Sequence, residues 1–390
     1  MEAALEKKLS IDKTNWTPVK FGEVVFEPKE STKDPSADGI EHVVGLEHIE
    51  PENIHLKNSA TLEVETTFSK KFAIGDVLFG RRRAYLKKAA LASFNGICSG
   101  DITVFRAKEN LTPNLLPFIV SNERFFDFAI KHSAGGLSPR VKFKDLANYE
   151  LLLPPKNIQV ELVNLFQALD NELTQNKILK EHLKHYSSAV FENIINNNYK
   201  GDAGTWKEFR KYKLKEVLAI PDKNKPNNIN KENILSVRLH LKGVVKNKTV
   251  DGLKIGSTTY YIRKKGQFIY GKQNLFNGAL GIVPDKLDGF LSSSDIPALD
   301  IDREKILPEY LMYYFGRKKF YKYLEKHSSG SGSKRIGEKK LLELEIILPK
   351  MKEQQEIINI MSKHSKAILN CEKKIRKTYA LQKSLINQIF

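Results

Sequence analysis

Two stretches of the chain place apolar residues at steps of three or four, or at sums of such steps. The first runs through Leu162, Phe166, Leu169, Leu173, Leu179, Leu183, Tyr186, Val190 and Ile194. The second runs through Ile357, Met361, Ile368, Ile375, Tyr379, Leu385 and Ile389. This spacing predicts two amphipathic helices, each approaching 40 residues, or about 60 Å at 1.5 Å of rise per residue. Asn176 and His364 interrupt the stripes, and a polar residue at such a position fixes register or finds a local partner. Neither helix can bury its stripe alone, so antiparallel packing of one on the other is the expected solution.

Elsewhere the pattern changes. "DVLFG" and "ITVFRA" in one half, and "TTYYIR" and "QFIYG" in the other, combine β-branched and aromatic residues with bounding glycine, which predicts short strands. "PNLLPFIVSNERFFDFAIKHS" and "PEYLMYYFGRKKFYKYLEKHS" return to helical spacing, with proline in the first turn. "PDKNKPNNINK", from 221 to 231, reads as a surface loop. Two α+β domains are therefore expected, each followed by a long helix.

The two halves are copies. "KHSAGGLSPRVKFKDLANYELLLP" begins at Lys131 and "KHSSGSGSKRIGEKKLLELEIILP" at Lys326, 195 residues later. Without gaps, positions 131–164 match 326–359 at 14 of 34 sites, where chance gives roughly two, so this is an internal duplication. The register holds at Pro113 and Pro308, then slips upstream to 191, with Gly80 opposite Gly271. The pattern is domain, helix, domain, helix. Antiparallel pairing of the helices then places the domains at opposite ends of a coiled-coil rod.

Charge sharpens the picture. The 390 residues carry a formal net charge of +18, with 41% hydrophobic and 28% charged residues. Residues 1–69 are net −7, 70–155 +7, 156–200 neutral, 201–349 +12 and 350–390 +6. Two basic blocks flanking a neutral spacer point to two polyanion-facing surfaces, and so to nucleic acid. Apolar runs are too short for a membrane span, and "MEAALEKKLS" is no signal peptide. Cys98 and Cys371 stand far apart, which argues against a disulfide framework and for a reducing cytoplasm.

Catalytic signatures are missing. There is no Walker A motif, no convincing glycine-rich cofactor loop and no Asn/Asp-Pro-Pro-aromatic motif; the sole Pro-Pro, Pro154-Pro155, sits at a strand-to-helix junction. Glu338-Lys339-Lys340 resembles a nuclease fragment, but its counterpart, Phe143-Lys144-Asp145, does not share the pattern. The nine histidines lack metal-ligand spacing, and His132 and His327, matched in the repeat, read as structural. The chain reads as a binder.

Binding needs donors. "GRRRAYLKK" supplies Arg81, Arg82, Arg83, Tyr85, Lys87 and Lys88, whose arginine forks suit guanine and phosphate and whose lysines suit phosphate. The aligned stretch "GKQNLF" supplies Lys272, Gln273 and Asn274, and amides of this kind pair with adenine, so the two domains would read different sequences. The duplicated Gly/Ser loop adds Arg140 and Lys142 in one copy and Lys334 and Arg335 in the other; its small residues permit close approach to a phosphate.

The whole layout resembles the specificity subunit of type I restriction-modification systems. The residues that carry the likeness are Leu153, Pro154, Gln159 and Glu161, repeated as Leu348, Pro349, Gln354 and Glu356, together with "GDVLFGRRRAYLKKAALASFNGICSGDI". The second recognition domain is the weaker likeness. The resemblance implies a pseudo-two-fold α+β architecture: a first target-recognition domain at 1–153, a central helix at 154–200, a second recognition domain at 201–348 and a C-terminal helix at 349–390. It also implies a cytoplasmic bacterial or archaeal protein with no catalytic site and no cofactor of its own. Its helices would dock two methyltransferase subunits that use S-adenosylmethionine on adenine. Motor-nuclease subunits using ATP and magnesium would complete the complex on double-stranded DNA. Competing readings are the recognition subunit of a related type II enzyme with fused nuclease and methylase, a coiled-coil RNA-binding adaptor and an independent enzyme. Assaying the isolated chain for methylation, cleavage and ATPase activity separates enzyme from subunit.

If the helices set the distance between half-sites, lengthening them must change the unspecified spacer and nothing else. Four residues inserted near Asn176 add about 6 Å and ~40° of rotation, under about 2 bp of duplex axis. The expected result, read by methylation mapping, is a spacer longer by one or two base pairs with both half-sites unchanged. An unaltered spacer in an active variant contradicts the expectation.

Overall fold

The computed structural model describes residues 12–62, 66–199, 209–247, 258–330 and 334–390. The segment "MEAALEKKLS", the expected boundary at 200/201 and residues 331–333 of the second Gly/Ser loop lie outside the described residues. The chain forms two compact units: Met1–Ile178 with Cys371–Phe390, and Leu179–Asn370. The division falls within both long helices, Lys156–Tyr199 and Met351–Ile389.

Unit 1 contains β1 (Thr17–Lys20), β2 (Val25–Phe26), β3 (His42–Val44), β4 (Ala60–Thr61), β5 (Lys70–Phe72), β6 (Val77–Gly80), β7 (Ala89–Leu91), β8 (Gly96–Cys98), β9 (Ile102–Ala107) and β10 (Glu150–Leu153). Its sheets have the orders β2-β9-β6-β7 and β4-β3-β8-β5, and β1 pairs with β10. The expected strand in "DVLFG" is β6, and its apolar residues are consecutive because both faces are covered. Val77 and Phe79 enter one core with Phe105, while Leu78 enters another with Ala90 and Val104. Alternation along a strand sends neighbours to opposite faces, so a strand between two cores has no polar side.

Unit 2 contains β11 (Arg210–Lys213), β12 (Leu218–Ala219), β13 (Leu235–Val237), β14 (Val244–Lys246), β15 (Tyr260–Ile262), β16 (Phe268–Tyr270), β17 (Leu280–Ile282), β18 (Leu291–Ser293), β19 (Ala298–Ile301) and β20 (Glu345–Leu348). The order β12-β19-β16-β17 and the pair β11-β20 repeat the topology of unit 1. The second sheet is thinner: β13 pairs with β14 and β15 with β18, and a parallel bridge from Ile234 to Leu291 stands where β3 meets β8. "PDKNKPNNINK" is a loop ending in a short turn, as expected, and its Asn224 carbonyl accepts from the Ile262 amide at 2.9 Å.

Each helical stretch expected before "KHS" divides into two helices. The break falls at Ser121–Asn122 in unit 1 and at Gly316–Arg317 in unit 2. The fully buried Asn122 explains the first. It caps the following helix by accepting from the Arg124 amide at 2.8 Å and donates to the Ile386 carbonyl at 3.1 Å. His132 and His327 are structural: Nδ1 of each donates, at 2.8 Å, to the carbonyl four residues earlier, on Phe128 and Tyr323.

The long helices are antiparallel and complete the core of each unit. In unit 1, Leu162, Val163 and Phe166 pack with Leu385, Ile386, Ile389 and Phe390. In unit 2, Phe191, Ile194 and Ile195 pack with Ile357, Ile358 and Met361. Leu173 is also buried, and Leu169, Leu183, Val190, Ile368 and Ile375 are half-buried. Leu179, Tyr186 and Tyr379 correct the expected stripe, for all three are exposed. A 3.6-residue turn drifts from any fixed step of three and four and moves these positions towards the edge of the stripe, where the Tyr186 ring still meets His364 at 5.3 Å between centroids. Asn176 has a local partner, donating from Nδ2 to the Glu172 carbonyl at 2.8 Å.

Each helix is tied to its unit by a buried glutamine. Gln159 accepts from the Thr112 amide at 2.7 Å and donates from Nε2 to the carbonyls of Asn110 and Pro154, at 3.0 and 2.9 Å. Gln354 makes the same three bonds, to Leu307 at 2.9 Å, Lys305 at 2.9 Å and Pro349 at 3.1 Å. Leucine at either position strands one half-buried amide and two carbonyls. Gln159→Leu is expected to cost unit 1 about 3 kcal/mol, read as lost hydrogen-exchange protection in β1 and β10. Gln354→Leu acts likewise on β11 and β20, and the exposed Gln355→Leu stays within about 0.5 kcal/mol.

Candidate nucleic-acid interface

The cations of "GRRRAYLKK" leave the end of β6, which is held from both sides. The Arg81 amide donates to the Asp101 carbonyl at 3.0 Å, and the Val141 amide donates to the Arg81 carbonyl at 3.1 Å. The Gly/Ser loop thereby comes to lie beside them. It is closed by an antiparallel pair, Ala134 N to Arg140 O at 3.0 Å and Arg140 N to Ala134 O at 2.9 Å. Gly135 adopts φ +114°, a conformation that excludes side chains.

Asp101 organises the cluster. Its Oδ1 accepts from Arg140 Nε at 2.7 Å and its Oδ2 from Arg82 Nη1 at 3.2 Å. Arg82 Nη2 also donates to Ser138 Oγ at 3.0 Å. Burial pushes the Asp101 carboxyl up, but the bonds from Arg140 and Arg82 outweigh it and hold the group below the ordinary carboxylate range. The remaining cations differ in how far they are committed. Arg81 Nε donates to the Val141 carbonyl at 3.1 Å, and Lys88 Nζ to the Leu46 carbonyl at 2.6 Å. Lys87 is ion-paired to Glu123. Arg83, Tyr85 and Lys142 are exposed, and the Arg83 side chain makes no ion pair or hydrogen bond among the described residues.

Unit 2 repeats the frame with other side chains. The Lys272 amide donates to the Asp295 carbonyl at 2.9 Å and the Ile336 amide to the Lys272 carbonyl at 3.0 Å. Ser329 and Arg335 close the loop at 2.9 and 2.8 Å, and Gly330 takes φ +116°. Arg335 Nη1 meets Asp295 Oδ1 at 3.2 Å, as Arg140 meets Asp101. Lys334 pairs with Glu325 at 2.8 Å and Lys272 with Glu338 at 2.9 Å. Gln273 is exposed, and Asn274 Oδ1 accepts from Asn277 Nδ2 at 3.2 Å. Arg81, Arg82 and Arg140 thus gather at one site, and Lys272 and Arg335 at its counterpart. Lys87 and Lys88 are instead taken up by Glu123 and by the Leu46 carbonyl.

Asp101 and Asp295 were absent from the cations picked out by sequence. Their signal is "SGDI" and "SSDI", four-residue echoes 194 apart. They matter because a carboxylate fixes the plane of a guanidinium, and Asp101 does so for both Arg82 and Arg140.

The type I restriction modification DNA specificity domain matches residues 13–183 and again 206–378. The chain belongs to this family. It is similar to the type I restriction enzyme EcoDI specificity subunit of Escherichia coli, with 29% identity over 104 residues, 27% of this chain and 23% of that one. The match therefore spans about a quarter of that relative's length. Two solved structures share the fold. One, from a study of assembly and conformational transition of the type I system, is 20% identical with a TM-score of 0.57, covering 96% of each chain. The other, the S subunit of the type I system of M. genitalium, is 14% identical with a TM-score of 0.56, covering 98% of each.

Within this specificity-subunit fold, unit 1 latches its recognition domain to the C-terminal helix by charge. Lys383 pairs with Glu123 at 2.8 Å and Glu52 at 2.9 Å, and the Tyr379 hydroxyl donates to Glu52 at 3.0 Å. Glu123 and Glu52 together raise the Lys383 pKa. At the matching place in unit 2, Glu192 lies 3.7 Å from Arg317 and 3.8 Å from Lys319, within ion-pair range, but among the described residues neither carboxylate oxygen is hydrogen-bonded. Among the described residues, no group of three or more His, Cys, Asp or Glu could hold a metal ion, and no helix is long and apolar enough to cross a membrane.

Because the folded Asp101 pKa is depressed, its contribution is fully present above the ordinary value of ~4 and is lost only as pH falls through the folded value. Loop closure in unit 1 is therefore expected to be flat from pH 8 to 5. Asp101→Asn at neutral pH reproduces the acid state. Hydrogen exchange at Ala134 and Arg140 should accelerate in that variant while Ser329 and Arg335 stay unchanged, and equal rates in variant and wild type would dismiss the clamp.

Proposed function

We propose that this chain is the DNA-reading, non-catalytic subunit of a type I restriction-modification complex. Each unit reads one half of a bipartite double-stranded target, and the halves are different sequences separated by unspecified base pairs. Two methyltransferase subunits, using S-adenosylmethionine, methylate adenine where this chain directs them, and motor-nuclease subunits using ATP and magnesium cleave unmodified DNA. This chain binds none of those cofactors.

One observation carries the reading: a single backbone clamp occurs twice with different side chains on it. Glycine at positive φ, closed loop, arginine and aspartate repeat as 135, 134–140, 140 and 101 against 330, 329–335, 335 and 295. The reading positions beside them change from Arg81, Arg82 and Arg83 to Lys272, Gln273 and Asn274. A frame that is kept while its donors vary fits two readers of unlike sequences. The central helix supports a partner-docking role, since Val160, Leu165, Ile178, Leu179 and Tyr186 are exposed along it. An RNA-binding reading is weaker, because Tyr310, Tyr314 and Phe315 are buried and present no stacking platform.

The exposed Arg83 gives the most direct test. Arg83→Ala should leave unfolding within about 0.5 kcal/mol of wild type. A phosphate contact predicts a salt slope lower by about 0.9. A guanine contact predicts a loss of about 1–3 kcal/mol and one relaxed base position. Unchanged affinity, slope and motif would remove Arg83 from the interface. The isolated chain should transfer no methyl groups from S-adenosylmethionine, and site-specific methylation should appear on adding the methyltransferase subunit.

A further inference from the structure

Aligning the units strand by strand shows one position whose chemistry has been exchanged. In unit 1, β5 pairs with β8 so that Phe72 faces Gly96. In unit 2, β15 pairs with β18 in the same sense, and the next residue, Arg263, donates its amide to Phe290 at 2.8 Å. The same turn follows both. Gly75 and Gly266 take φ of +89° and +79°, and the Asp76 or Gln267 side chain accepts from the Ala73 or Lys264 amide. Phe72 and Arg263 are therefore equivalent, at 3% and 5% exposure. A buried phenyl ring in one unit is a buried guanidinium in the other.

A buried charge is costly unless paired. Arg263 Nε donates to Ser292 Oγ at 2.6 Å and Nη2 to the Ile296 carbonyl at 3.2 Å. Its guanidinium lies 5.4 Å from the centre of the Tyr261 ring. Among the described residues no carboxylate comes within ion-pair distance of Arg263, and Nη1 has no hydrogen-bond partner. Burial pushes the Arg263 pKa down to about 10, so the group stays charged at neutral pH.

Arg263 helps line a cavity with Lys223, Tyr261, Lys272, Ser294 and Glu338. Lys223 stands 5.9 Å from the Tyr261 ring centre, and Glu338 is taken up by Lys272 at 2.9 Å. Three cations thus oppose one carboxylate. At the matching place in unit 1 the cation is compensated among the described residues: Lys70, which faces Cys98 as Tyr261 faces Ser292, pairs with Glu27 at 3.1 Å. The cavity shares Lys272 with the reading loop of unit 2.

We propose that this cavity binds a phosphate group, with Arg263 Nη1 and the exposed Lys223 as its donors, and that the group comes from the DNA backbone. The second clause rests on the DNA-reading function proposed above. A tetrahedral oxyanion supplies the negative charge and the acceptors that Arg263 lacks, and a contact of this kind positions the duplex without reading a base. Unit 2 would hold the strand at this point by a contact unit 1 does not make.

The test uses the full chain and two variants. Arg263→Phe installs the residue unit 1 already accommodates, and Lys223→Ala changes an exposed side chain, so a folding defect in the first leaves the second informative. With target DNA, each variant is expected to lower the slope of log affinity against log salt by about one, with the methylated motif unchanged. A separate arm measures the thermal midpoint in inorganic phosphate without DNA. A rise in wild type that Arg263→Phe abolishes, with no change in DNA salt slope, keeps the phosphate site and overturns its assignment to the backbone. No effect in either arm overturns the site, and so does a changed methylation motif, which would mark a base contact. Wild-type protein that binds no specific DNA defeats the proposed function instead, and the phosphate arm then decides the cavity alone.

Discussion

A long helix leaving a small domain needs its first turn anchored, because the amides there have no partners within the helix. Here the chain enters each helix through proline, at Pro154-Pro155 and at Pro349, and one buried glutamine side chain bridges strand end, loop and helix. The three bonds of Gln159 and the three of Gln354 fix where the helix departs from the strand before it. The loop before the split helices is held by the same side chain, so helix and recognition domain share one origin. From that junction each helix runs on into the core of its unit.

On this common frame the units diverge where side chains meet solvent or charge. Asp76 and Arg106 form an ion pair in unit 1 with Arg106 Nε 2.7 Å from Asp76 Oδ1, and the matching pair in unit 2 is Gln267 donating to Asp300 at 2.7 Å. The charge has changed sides and the connection has survived. Such exchanges alter electrostatic potential while the strand pairing around them is kept.

How far the sequence disclosed this depends on what each residue is tied to. Leu153, Pro154, Gln159, Gly135 and Arg140 and their partners 195 residues on are legible because backbone geometry demands them, and the pairing of the helices is legible because apolar period is a property of one chain segment. Asp101 and Asp295 escaped because the register had already slipped to 194 and a lone carboxylate beside arginines looks like surface. The commitment of Lys87 to Glu123 was equally hidden, since the two lie 36 residues apart and meet only when the domain closes. Nor could periodicity reveal that compactness divides both helices midway. That is a property of which residues share a core.

The discontinuity of unit 1 bears on how the protein is made. Unit 2 is one continuous segment, 179–370, and all the chain it requires exists before residues 371–390 are synthesised. Unit 1 starts earlier in the chain than unit 2 but is completed after it, since Leu385, Ile386, Ile389 and Phe390 belong to its core. Until they arrive, the apolar faces of Leu162, Val163 and Phe166 have no cover from that helix, and Asn122 has no Ile386 carbonyl to donate to. Vectorial synthesis therefore yields a nascent chain whose second unit can be complete while its first is still open, so loss of residues 385–390 disables the unit whose translation began earlier.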